Sequence, residues 1–117
     1  GGKIFFAFIS NDFVFLTEFG YDVNYFRNGD YDKETFKLND FPFVFHTVDA
    51  ARKLLADGGI NILHEVASDG ASELLAARIN EMSDEDYTQY LRYHFYICEK
   101  PELLGMTNHL LFMGEKK

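Results

Sequence analysis

The hydrophobic residues of this chain fall into short blocks separated by polar turns, and the spacing inside each block indicates an element. Lys3-Ile-Phe-Phe-Ala-Phe-Ile9 is almost continuously apolar and follows two glycines. Strands buried on both faces of a parallel sheet read this way. Val48, Ala51, Leu54 and Leu55 recur at helical spacing behind Thr47, a favourable cap, with Asp49 in the first turn. A helix is therefore predicted over 47–57, closed by Gly58-Gly59. Ile60-Asn-Ile-Leu-His-Glu-Val66 is the next strand. Strict alternation puts Ile60, Ile62, His64 and Val66 on one face and Asn61, Leu63 and Glu65 on the other.

Ser68-Asp69-Gly70 turns the chain, and Ser72 is placed to cap a helix running to about Met82. Ser83, with Asp86 three residues on, starts another helix. Its stripe is Tyr87, Tyr90, Leu91, His94 and Cys98. Pro101 and Gly105 break that pattern, and His109-Leu-Leu-Phe-Met113 forms a last strand before a charged tail. Residues 11–45 lack a clear period. Phe13-Val-Phe-Leu16 is compatible with a short helix or a short strand, and Phe19, Tyr21, Tyr25 and Phe26 follow among Asp, Asn and Gly. So aromatic a segment with so weak a period reads as a lid or binding insertion, or as a loop that caps the core. The order β, insertion, α, β, α, α, β describes an α/β fold in a single domain over 1–117. Three strands are few for a doubly wound sheet. A buried-type strand at the very start, without an initiator Met, points to a segment of something longer.

Composition narrows the function classes. Apolar residues are 47 % and aromatics 17 %, ample for a packed core. The net charge of −8 is spread over both halves without a basic stripe, which argues against nucleic acid and acidic membrane surfaces as partners. No apolar run approaches the roughly 18 residues of a membrane span. A lone cysteine excludes an internal disulfide. With no secretory leader pattern either, a reducing, cytoplasmic setting is expected.

The chemistry-bearing residues are few. No glycine-rich phosphate loop occurs. His46, His64, His94 and His109 never stand three or four apart, so metal-ligand spacing is missing. His46 ends the Phe43-Val-Phe45 stretch just before a helix cap, where ligand sites of open α/β sheets gather. His94 stands on a helix face with Tyr87, Tyr90 and Leu91 and suits a general base or a substrate hydrogen-bond partner, unless it is a satisfied core histidine. His64, on the apolar side of its strand, carries the same two readings. Cys98 lies four residues after His94, so a thiolate–imidazole pair is conceivable beside the plainer reading of a buried small hydrophobe. Tyr21, Tyr25 and Tyr31 offer polar tips to an apolar pocket.

Gly1-Gly2-Lys3-Ile-Phe-Phe-Ala-Phe-Ile-Ser10 resembles the glycine-led fifth strand of Rossmann-like S-adenosylmethionine-dependent methyltransferases. The helix ending in Asp57-Gly58-Gly59 resembles the helix before that family's sixth strand, and Ile60 to Ala67 fits the strand itself. His109 to Glu115 fits the seventh, antiparallel strand, which inserts between the fifth and sixth. Tyr93-His94 through Pro101-Glu-Leu-Leu-Gly105 and Asn108-His109-Leu-Leu is similar to small bacterial members of unassigned substrate.

The resemblance implies the C-terminal half of a seven-stranded sheet, that is, strands five to seven plus helices. It implies a methyltransferase whose S-adenosylmethionine is bound mainly by the absent N-terminal half, so no cofactor residue carries over and the piece alone is inactive. This half supplies the substrate wall and lid, for in-line methyl transfer to an unidentified N, O, S or C acceptor on a small molecule. His46 and His94 become the candidates for the base or for substrate positioning, with Tyr25 and Tyr93 as pocket walls. A half-sheet exposes the edge of its first strand, which the missing half or a second copy is expected to cover. Two rival readings stand beside this one: a non-catalytic module that binds an apolar ligand or a protein, and a small enzyme using Cys98 with His94.

Overall fold

A computed structural model describes residues 2–117. The elements follow in the order β1 (Lys3–Ser10), α1 (Asn11–Tyr21), α2 (Tyr25–Asn28), β2 (Phe45–His46), α3 (Val48–Asp57), β3 (Ile60–Ala67), α4 (Ala76–Asn80), α5 (Asp84–Ile97) and β4 (His109–Lys116), with a 3-10 turn at Pro101–Leu103. The four strands make one mixed sheet in the order β2-β1-β4-β3. β2 is parallel to β1, whereas β4 runs antiparallel between β1 and β3. The chain is thus an α/β fold in which β1, β2 and β3 all end at the same edge of the sheet.

Local chemistry accounts for the two best-formed helices. The Thr47 side chain accepts from the Ala50 N–H at 3.1 Å and starts α3, and the Ser83 hydroxyl accepts from Asp86 N–H at 3.1 Å and starts α5. Gly59 leaves α3 with φ +76, a conformation that favours glycine. Ala51 and Leu55 of α3 then bury against Ile60, Ala67, Leu104, Leu110 and Phe112. Gly114 is required where β4 passes β3, because a Cβ there would lie 2.6 Å from the Ile60 side chain and 2.8 Å from the Asn61 carbonyl.

The structure corrects three expectations. β3 carries a bulge between Ile62 and His64. One extra residue reverses the alternation beyond it. His64 therefore leaves the apolar face for solvent, where its Nδ1 lies 2.8 Å from Glu99, and Glu65 turns inward beneath α3. There Arg52 binds it through two nitrogens, at 2.6 and 2.9 Å. The helix expected from Ser72 is confined to Ala76–Asn80. The Ser72 hydroxyl donates to the Asp69 carbonyl at 2.7 Å and closes a turn instead of capping a helix. Finally, β1 is covered on one face only. The face with Phe5, Ala7, Ile9, Leu111 and Met113 stays partly open, and Phe5 is 63 % exposed. β2 pairs only with Ile9 and Ser10, so the outer edge of β1 from Lys3 to Phe8 has no strand partner among the described residues.

The 11–45 segment is an ordered unit. It opens with α1, directly after β1, and Phe15, Tyr31 and Leu38 form a second small core with Val14, Tyr25 and Phe45 around them. The buried Asn11 side chain ties the unit together. Its amide donates to the Phe36 carbonyl at 3.0 Å, and its oxygen accepts from the Leu38 N–H at 2.8 Å.

Candidate functional site

The carboxyl ends of β1, β2 and β3 and the start of β4 meet at one edge of the sheet. Register puts His46 opposite Ser10 and His109 opposite Ile9. The β3–α4 turn joins them, because the Ser68 N–H donates to the His109 carbonyl at 3.1 Å. In open α/β sheets this edge is where ligands bind.

Asp69 organises the junction. One carboxylate oxygen accepts from the His109 backbone N–H at 2.9 Å and from the Thr107 hydroxyl at 2.5 Å; the other lies 2.9 Å from His109 Nδ1. A carboxylate can only accept, so Nδ1 carries the proton. Thr107, itself fully buried, also accepts from the Gly70 N–H at 2.9 Å. Partial burial pushes the Asp69 carboxyl up, but the Thr107 hydroxyl, the His109 N–H and the His109 ring together hold it below the usual carboxylate range.

His109 lines the largest of the cavities at this edge, about 550 Å³, within the range of small-molecule sites. Its opposite wall is aromatic, from Tyr21 and the segment Phe41 to Phe45. A second cavity, of about 280 Å³, is lined by Asp69 together with Tyr87, Tyr90, Leu91 and His94 of α5. Asp69 thus lines the cavity bordered by His94 and binds His109, which lines the other.

The four residues singled out from the sequence do not form one cluster. His46 stands at the expected strand end, but its ring packs edge-on against Phe8, with centroids 5.0 Å apart, and its Nδ1 is buried without a hydrogen-bond partner. His94 borders the 280 Å³ cavity and rests on Gly70: a Cβ there would lie 3.0 Å from His94 Nδ1. Tyr93 is 58 % exposed and shares with His94 a third cavity of about 250 Å³ beside Cys98. Tyr25 walls a separate cavity of about 230 Å³ behind Phe41 and Phe45, and burial, then Glu18 and Asp30, raise its phenol above the ordinary value. The buried Cys98 thiol points to the Phe95 carbonyl at 3.5 Å, and no hydrogen bond joins it to the His94 ring. That leaves the thiolate–imidazole reading without geometric support.

From the sequence Asp69 reads only as a turn residue and His109 only as a strand start without metal-ligand spacing, and Thr107 carries no signal. The available signal was the strand pairing: once Ala67 is set opposite Leu110, the next residues of both strands face each other at the sheet edge. Among the described residues no three His, Cys, Asp or Glu side chains are grouped to hold a metal, and no helix is long and apolar enough to cross a membrane. The turn glycine at this edge, Gly70, makes room for His94, while Gly58 and Gly59 close α3 at the opposite edge, so none of them is placed to cradle a nucleotide-like cofactor here. Searches against protein-family models, curated proteins and solved structures find no match.

Proposed function

We propose that the chain is the substrate-side half of an S-adenosylmethionine-dependent methyltransferase, with strands β1, β3 and β4 in the places of the fifth, sixth and seventh strands of a Rossmann-like sheet. The observation that carries this reading is the strand order: an antiparallel β4 inserted between β1 and β3, whose own directions agree. When bound, the cofactor would supply an electrophilic methyl group. The residues that hold it are assigned outside these 117, because the turns here do not fit it. The chain's own contribution is walls on the acceptor side, Tyr93 beside one cavity with His94 and Tyr25 beside another, with His94 and His46 as alternative candidates for holding or taking the acceptor's proton. A cytoplasmic small-molecule enzyme fits the acidic surface and the single cysteine.

The test is to incubate the intact protein that carries this chain with S-adenosylmethionine and a panel of small apolar alcohols, phenols and amines. Acceptor-dependent formation of S-adenosylhomocysteine supports the reading. No turnover with any acceptor, joined to no binding of S-adenosylmethionine, would leave the second reading, a non-catalytic ligand- or protein-binding module. The open apolar face at Phe5 and the lack of a phosphate cradle favour that alternative.

A further inference from the structure

We propose that the 550 Å³ cavity at the sheet edge is a binding site for an apolar small molecule that presents an O–H or N–H group to His109 Nε2. The inference rests on the geometry of the cavity and goes beyond the methyl-transfer reading, since it needs no cofactor.

Asp69 fixes the tautomer. With Nδ1 donating to the carboxylate at 2.9 Å, the neutral ring keeps its lone pair on Nε2. No hydrogen bond of the described residues uses Nε2, and the ring borders the cavity. The histidine side chain free in water favours the opposite tautomer, so the carboxylate converts His109 into a directed acceptor. The backbone of His109 is pinned as well, by its N–H to Asp69 and its carbonyl to the Ser68 hydroxyl at 2.8 Å. The nitrogen is therefore placed before any ligand arrives, which limits the ordering cost of binding.

The rest of the wall describes the ligand. Ile9, Tyr21, Phe41, Phe43 and Phe45 provide an apolar, largely aromatic surface. Two carboxylates, Glu18 and Glu73, stand at the lining, and no Lys or Arg does. An anionic ligand is disfavoured there, and a neutral or cationic one with an aromatic or aliphatic body is favoured. Its polar hydrogen is the feature His109 selects. A site built around an acceptor discriminates strongly against an analogue that lacks the donor. The pair His64–Glu99 has the same ring-to-carboxylate geometry at 2.8 Å but lies on the surface away from this cavity, which makes it an internal control.

The experiment compares two probes that share an aryl-methyl body and differ only in the hydroxyl, 4-methylphenol and toluene, with the intact protein that carries this chain at pH 8. Binding is followed by NMR together with the ring nitrogen shifts of the histidines. The expected result is at least about ten-fold tighter binding of the phenol, an Nε2 signal of His109 in the unprotonated range that moves with the phenol but not with toluene, and no response at His64. In His109→Phe the preference should collapse to about one. Should that variant fail to fold, the wild-type nitrogen signal decides alone. Equal affinities, no binding of either probe, an unmoved His109 signal, or a preference that survives in a folded His109→Phe would each overturn the proposal.

Discussion

Asp69 and His109 lie 40 residues apart in the chain, yet three contacts join the Asp69 carboxylate to the start of β4: the His109 ring, the His109 N–H and the Thr107 hydroxyl. This one carboxylate closes the end of the β3–β4 pair and lines the cavity that His94 borders. Asp69→Asn keeps the shape but turns one acceptor into a donor, and it is expected to lower stability by about 1–2 kcal/mol at neutral pH. The folded-state pKa of Asp69 lies below its unfolded value. Its stabilising contribution is therefore complete above the ordinary carboxylate range near pH 4 and is lost as pH falls through the lowered folded value. Urea titrations of both proteins between pH 2 and 7 check this: the gap should be widest at pH 7 and shrink in acid.

His46 offers a contrast. Its buried Nδ1 has no partner, a cost to the fold without a structural return. His46→Phe keeps the edge-on contact with Phe8 and removes the orphaned nitrogen, so stability should rise by about 0.5–1 kcal/mol. If His46 serves the acceptor in the intact enzyme, methyl transfer should fall about a hundred-fold in the same variant. Thermal unfolding and turnover read the two effects separately. A more stable protein with an unchanged rate would make His46 a packing residue only, and unchanged rates with alanine at both His46 and His94 would remove the catalytic role from the pair.

Gly70 positions His94. It has φ +56, and an added methyl group would press on the His94 ring at 3.0 Å. Gly70→Ala should cost about 1–2 kcal/mol through backbone strain and should displace the imidazole from the cavity wall. Chemical-shift changes at His94, together with a loss of a few degrees in Tm, are the expected readout. An unmoved His94 would show that the contact is slack.

The open edge of β1 is a template for pairing with another chain. The 117-residue chain alone is expected to self-associate, and Phe5→Lys, which places a charge on the exposed strand, should reduce that. Light scattering against concentration measures it. A sharp monomer of the unsubstituted chain with cooperative unfolding counts against the expectation.

Much of this architecture was legible in local patterns. Thr47 and Ser83 announce their helices because a cap is a local hydrogen bond, and the continuous apolar run of β1 and the glycine-led β3 are likewise local signals. α1 was not legible, since Phe13, Val14, Phe15, Leu16 and Phe19 surround the helix axis instead of forming one stripe: Phe13 and Phe15 are buried, whereas Leu16 and Phe19 stay exposed. The bulge at Leu63 was hidden for a different reason. It depends on the register with a distant strand, and it decides whether His64 or Glu65 faces α3. The candidate site was legible in part. His94 and the aromatic segment do border cavities, but Asp69 and His109 gain their meaning only when β3 and β4 pair.

The central claim is that this sheet is one half of a methyl-transfer domain. Its most direct test is calorimetric titration of the intact protein that carries this chain with S-adenosylmethionine. The account predicts saturable one-to-one binding with a Kd in the micromolar range, on the order of −8 kcal/mol. No heat and no binding at millimolar cofactor, from a folded protein, would contradict it.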